Sequence, residues 1–375
     1  MVGRMIPPAV DDAIDLKRVR RALVIKLRHH GDVLLASPVF TALKRAAPDA
    51  EIDALVYLET APMLERHPAI SLVHTIDRRH KDRGPLSQLL GDGRLWHALR
   101  SRRYDLVVHL TEHPRGAWLS RIAGARYRVA PERARAGWFW RRCFTHRYLL
   151  PQSTPRHTVE ADLDALRRIG LWPDEDDKKL VHVPGPDAQK RVAELLAAHG
   201  LERGGFVLIH PGSRWLFKCW PAAPTAALLD RLAAMGWPLV MTGAPDPAEA
   251  PLVNAIKAAL ASPIVDHAGR LTMAELSALI ASARLCIGCD TAPMHLASAA
   301  GTPIVAWFGP SDERIWGPWR VPHRVVASTV HACRPCHNNG CGGSNNSDCL
   351  LKLPLDSVAA AVVSLLAETG ATAPR

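Results

Sequence analysis

At 375 residues the chain exceeds what a single hydrophobic core usually serves, so two domains are expected. Its 48% hydrophobic fraction is that of a globular protein, and no apolar run approaches the roughly 20 residues that a bilayer-crossing helix needs. The formal net charge of +11 favours anionic partners, whether nucleic acid, phosphorylated sugars or an anionic membrane face, without choosing among them.

The first residues, MVGRMIPPAVDDAIDLKRVR, carry acids and two prolines and lack the apolar stretch of a secretory signal, so they read as an extension. Ala22 to Leu27 reads as a buried strand, and Val33 to Ala46, with apolar residues three and four apart, as an amphipathic helix. RHHGD, between them, puts Asp32 at a strand-to-helix turn, where open α/β sheets bind ligands. An aspartate there is equally an N-cap. EIDALVY, SLVHTID and YDLVVHL continue the alternation of short apolar runs with helical segments, the pattern of a doubly wound parallel sheet. Basic residues gather in IDRRHKDRG, ALRSRRY and ARYRVAPERARAGWFWRRCFTHR. The last interleaves Arg with Trp, which suits a phosphate- or lipid-facing surface and also a solvated basic face. After the helix HTVEADLDALRRIGL and the polar, linker-like WPDEDDKK, the alternation restarts with KLVHVP, FVLIHPG, PLVMTGA, PIVDHAG, RLCIGCD and PIVAWFG, a second parallel sheet. LDSVAAAVVSLLAETG closes the chain as a helix that can pack on either domain. The expected division is an extension (1–20), a first domain (21–177), a second domain (178–352) and the closing helix and tail (353–375).

No G-x-G-x-x-G follows a strand, and neither G-x-x-x-x-G-K-[ST] nor G-x-S-x-G occurs, which argues against dehydrogenase, P-loop and serine hydrolase chemistry. FVLIHPGSRWLFKCWP sets Gly212, Ser213, Arg214 and Lys218 after a strand, and a small residue, a hydroxyl and cations suit a diphosphate. RLCIGCDTAPMHLASAAGTP sets Asp290, Thr291, Ala292 and His295 at a strand end and the helix that follows, an arrangement that cradles phosphate, although Asp290 also fits capping and His295 packing. In TGAPDPAEAP, Asp246 and Glu249 are candidate acceptors for ribose hydroxyls, or simply helix-start acids. Of eight cysteines, Cys333, Cys336, Cys341 and Cys349 form C-x2-C-x4-C-x7-C, which suits a zinc ion or free or redox-paired thiols. Lacking an export signal, the chain is expected in a reducing compartment. A nucleic-acid reading has only charge behind it, with no finger spacing, lysine-rich tail or RNP-type aromatics.

The blocks GDVLLASPVFTALKRAAPDAEIDALV, HPGSRWLFKCWP and CDTAPMHLASAAGTPIVAWFGPSD, in that order, resemble the bacterial lipopolysaccharide heptosyltransferases of glycosyltransferase family 9. RHHGDVLL, SRWLFKCW and the late cysteine loop resemble the heptosyltransferase III branch. The likeness runs from about Ala22 to the final helix. It implies the GT-B fold, two Rossmann-like α/β domains facing across a cleft, together with an ADP-heptose donor, inversion at the anomeric carbon, and neither cofactor nor metal. By that resemblance Asp32 is the catalytic base and Lys218 the phosphate-binding cation. Gly212, Ser213, Arg214, Glu249, Asp290, Thr291, Ala292 and His295 fall on the donor side. The basic segments of the first domain, including Arg133, Arg135, Arg141 and Arg142, are expected to line the side that meets the anionic acceptor and the membrane, and His29 and His30 are expected beside the acceptor. The implied partners are the lipopolysaccharide inner core and the cytoplasmic face of the inner membrane, not nucleic acid. The other readings are a transferase using another nucleotide sugar, and a non-catalytic basic protein that binds nucleic acid or a membrane surface.

Overall fold

The computed structural model describes residues 10–78, 85–133, 137–150, 154–370 and 373. The chain passes from one compact unit to a second between Val181 and His182.

In the first unit the strands are β1 (Arg21–Ile25), β2 (Glu51–Tyr57), β3 (Leu72–Ile76), β4 (Leu106–His109), β5 (Tyr127–Pro131) and β6 (His146–Tyr148). All pair in parallel, in the order β3-β2-β1-β4-β5-β6. The helices are α1 (His30–Leu35), α2 (Ser37–Ala46), α3 (Pro85–Ser101), α4 (Pro114–Ala123), α5 (Trp138–Cys143) and α6 (Thr158–Arg167). A parallel sheet covered on both faces needs unbroken apolar strands, and Leu23, Val24 and Ile25 of β1 are fully buried. Strand order reverses between β1 and β4, so the turn that follows β1 is a topological switch point.

The second unit repeats the plan with β7 (Val207–His210), β8 (Leu239–Met241), β9 (Val265–Asp266), β10 (Leu285–Cys289), β11 (Ile304–Phe308) and β12 (His323–Ala327). Their order, β12-β11-β10-β7-β8-β9, is the same topology written from the other edge, and its switch point lies between β7 and β10. Gly288 pairs with His210 across that junction, and a Cβ there would lie 2.5 Å from the His210 carbonyl oxygen, so only glycine lets these two strands approach. Its helices are α7 (Pro186–Ala198), α8 (Ala222–Ala234), α9 (Ala250–Ala259), α10 (Met273–Ile280), α11 (Ala292–Ala300), α12 (Glu313–Trp316), α13 (Asp348–Leu351) and α14 (Leu355–Glu368). On α14, Val358, Val362, Leu365 and Leu366 share one face and enter the core beside Trp220 and Trp307. The closing helix therefore belongs to the second unit, and the Trp220 indole N–H donates to Leu353 O at 3.3 Å.

Four sequence expectations change. The helix from Val33 to Ala46 is two helices that begin at His30 and break at Ala36, because Pro38 cannot donate to a continuous ladder and instead opens α2. KLVHVP forms no strand: the Val181 N–H donates to Ser37 Oγ at 2.9 Å, and Pro184 has none to give. The basic segment read as surface contributes β5 and β6, whose inward side chains lie between arginines. A sixth strand in the second sheet, β12, was also unforeseen, since HRVVA opens on two polar residues.

Candidate active site

Asp32 lies at the first unit's switch point, but as the third residue of α1 rather than its cap. His29 is the N-cap and makes no side-chain capping bond. An acid in a helix's first turn is favoured by the macrodipole. Among the described residues no cation pairs with Asp32, which is half-buried. Beside it is an ion pair that sequence reading missed. Lys26, at the end of β1, donates at 2.7 Å to both carboxylate oxygens of Asp162 on α6, and both side chains are almost wholly buried. Burial pushes the Asp162 carboxyl up to about 6, against the pull of Lys26, and the nearby Asp32 charge adds to the rise. The signal was present: Val159, Asp162, Leu163 and Leu166 share one helix face, so an acid occupies an apolar stripe, and Lys26 interrupts a buried strand run.

The expected acceptor residues are placed unevenly. His29 is exposed, and His30 lies 2.7 Å by Nε2 from Glu59 O, a contact that fastens α1 to the next turn. The Arg133 guanidinium lies over the Trp140 ring, 4.9 Å from its centroid. Arg135 lies outside the described residues.

In the second unit both phosphate-type turns converge on the switch point. Lys218, on a short 3-10 turn after β7, donates to Asp290 Oδ2 at 2.6 Å and to Asp290 O at 3.3 Å. Thus the Asp290 carboxylate, expected on the donor, instead holds the cation in place. Ser213 is buried and its Oγ accepts the Trp215 N–H at 3.1 Å, which leaves the hydroxyl hydrogen to donate. Thr291 is the N-cap of α11 with no side-chain capping bond; Pro293 has no N–H and the Met294 N–H donates to Thr291 O at 3.1 Å, so the first turn offers an anion the Ala292 N–H beside the Thr291 hydroxyl. His295 is buried on the same helix.

Glu249 precedes α9 and is buried. Its Oε2 accepts the Ala244 N–H at 3.0 Å and faces His210 Nε2 at 3.5 Å, while His210 Nδ1 lies 3.0 Å from Thr242 Oγ1. Burial opposes its ionisation, yet the His210 contact and the Ala244 N–H outweigh it and hold the carboxyl below its ordinary value. A Cβ on Gly212 would lie 2.5 Å from Glu249 Oε2, so the glycine lets this acid under the phosphate-type turn. Asp246 faces Arg214 at 3.5 Å and does not reach Glu249's position. His210 and Thr242 were missed, since each ends an apolar run and reads as ordinary strand. The four late cysteines are free thiols, and among the described residues no three His, Cys, Asp or Glu side chains are grouped to hold a metal ion.

Each unit is a parallel sheet of Rossmann order with charged side chains at its switch point, the place where α/β folds of this class bind nucleotide-linked ligands. Comparison with known proteins narrows that class. Residues 93–345 match the family described as glycosyltransferase family 9 (heptosyltransferase). Lipopolysaccharide heptosyltransferase 3 of Escherichia coli is 36% identical over 295 residues, 78% of this chain and 84% of that protein. Among solved structures, the family 9 glycosyl transferase from Veillonella parvula superposes with a TM-score of 0.80 at 22% identity, covering 96% of this chain and all of that one. E. coli heptosyltransferase WaaC with ADP-2-deoxy-2-fluoro heptose has a TM-score of 0.69 at 19% identity, covering 93% and 99%. The chain belongs to glycosyltransferase family 9, the heptosyltransferases.

Proposed function

We propose that the protein transfers heptose from ADP-heptose to the inner core of lipopolysaccharide, with inversion. The observation that carries this reading is the Lys218–Asp290 pair beside the N-terminus of α11, with Ser213 in the adjacent turn, in a chain of the heptosyltransferase family. Asp290 fixes the ammonium before substrate arrives, so little reorganisation is needed when the departing diphosphate gains charge. Ser213, the Thr291 turn and Ala292 supply further donors, Arg214 a second cation, and Glu249 an acceptor for donor hydroxyls. Gly212 gives the close backbone approach, and His295 packs the helix.

Asp32 acts as general base, taking the proton of the acceptor hydroxyl as the new C–O bond forms. His29, His30, Arg133 and Arg135 serve the phosphate-bearing acceptor. No metal or cofactor enters this scheme. The enzyme works at the cytoplasmic face of the inner membrane, where the lipid-anchored acceptor is made.

A screen of radiolabelled nucleotide sugars against heptose-deficient core acceptors tests the reading. Label transfer from ADP-heptose, and inverted configuration in the product, are expected. Transfer from a different nucleotide sugar alone would overturn it.

A further inference from the structure

Away from the site, one face of the first unit combines exposed tryptophans with arginines. Trp118 on α4 is 57% exposed and Trp138 on α5 is 70% exposed. The rings of Trp118 and Phe139 are 4.4 Å apart, and the Arg142 guanidinium lies 4.6 Å over the Trp138 ring. Phe139 is half-buried and packs on the core cluster of Ala117, Ala130, Trp140, Cys143 and Phe144, so Trp118 and Trp138 are the exposed rings of these two neighbouring helices.

The core does not need the two exposed indoles. α5 turns Trp140 inward, where it packs on His109 and Phe144 and donates its indole N–H to Pro131 O at 3.2 Å. Trp138, Arg141 and Arg142 face solvent, and among the described residues no carboxylate pairs with either arginine. Two exposed indoles on neighbouring helices are unusual on a protein surface that meets only water. Indoles and guanidiniums both carry an apolar body and a polar tip, the combination that settles at the boundary between lipid headgroups and acyl chains. Unpaired cations beside them complement an anionic leaflet. Placement agrees. α4 follows the end of β4 and α5 the end of β5, the sheet edge from which β1 leads to Asp32.

We propose that Trp118 and Trp138, with Arg141 and Arg142, dock the enzyme on an anionic phospholipid bilayer, the indoles entering the headgroup boundary. This rests on the reading that the acceptor is a lipid-anchored saccharide, and it names the surface that meets the lipid. Docking there keeps the Asp32 edge beside the membrane where that acceptor is held.

The test is co-sedimentation of the full chain with phosphatidylcholine vesicles and with vesicles containing phosphatidylglycerol, at low and high salt. Wild type should bind the anionic vesicles, and less at high salt. Trp118→Ser/Trp138→Ser should lose about tenfold or more of that partition, the order expected when two large side chains stop entering an apolar boundary. Transfer to a delipidated, water-soluble core oligosaccharide should be unchanged. Trp138→Ser alone, at the more exposed position, serves if the double variant melts early. Wild-type vesicle binding by a folded tryptophan variant would overturn the proposal, as would failure of wild type to bind anionic vesicles. A raised KM for the soluble acceptor with vesicle binding intact would make the two indoles a saccharide platform instead. Because vesicle binding needs no donor, an incorrect donor assignment would leave this result readable.

Discussion

The two units share one strand order and differ in how each switch point handles charge. In the second, the charged groups are already matched: Lys218 is held by Asp290, Arg214 faces Asp246, and Glu249 is satisfied by Ala244 and His210. In the first, the neutralised pair is Lys26–Asp162, set beneath the site, while Asp32 has no cation of its own among the described residues. The difference fits the tasks proposed for the two sites. A group that stabilises a leaving diphosphate works best when fixed in advance, whereas a base locked to a cation would be a poor proton acceptor.

The contrast breaks most sharply at Asp32. Asp32→Asn keeps a residue of similar shape, so stability should fall by only about 0.3–1 kcal/mol, the lost charge–dipole interaction. Removing a general base costs about 10²–10⁴-fold in rate. The variant should bind ADP-heptose and transfer almost nothing in a single-turnover assay; near-wild-type turnover would leave Asp32 with a structural role and direct attention to His29 and His30.

Lys26→Met tests the buried pair beneath it. Removing one partner of such a pair costs about 3–5 kcal/mol, to be read from urea unfolding at neutral pH. The pH dependence has a definite sign. The Asp162 carboxyl, raised from 3.8 to about 6, contributes stability that is fully present at low pH and lost as pH rises through its folded value. Without Lys26 that value climbs further, so the penalty should be larger near pH 8 than near pH 5. An equal penalty at both would mean that Asp162 is not the group responding.

Lys218→Ala sharpens the second unit's side of the comparison. Loss of a charge-assisted contact of about 1.5–3 kcal/mol should weaken ADP binding by roughly 10- to 150-fold by calorimetry and lower turnover as well. Unchanged ADP affinity would transfer the role to Arg214. Gly212→Ala, the smallest change, forces a methyl to within 2.5 Å of Glu249 Oε2. Overpacking of about 1–3 kcal/mol should appear in the thermal melt, together with weaker donor binding and an unaffected Asp32 side. A neutral result would show that Glu249 can move aside freely.

Much of this was legible in the chain. Alternating apolar runs gave two doubly wound sheets, and short polar turns after strands marked Asp32, Ser213, Lys218 and Thr291, because such turns fall at strand carboxyl ends whatever the remote packing. Less legible were β5 and β6, whose alternation is masked by Arg128 and Arg147, half-buried and bonded to Cys143 O and Glu132, and KLVHVP, which runs as a connector. The amino-acid order by itself determined local periodicity, the break at Pro38 and the turn chemistry, since these depend on backbone geometry a few residues apart. Only the tertiary structure decided that Lys26 meets Asp162, that Asp290 is spent on Lys218, that Glu249 lies beneath Gly212 and that α14 completes the second core. Each of those contacts joins side chains far apart in the chain, and their energies arise from burial that no local pattern records.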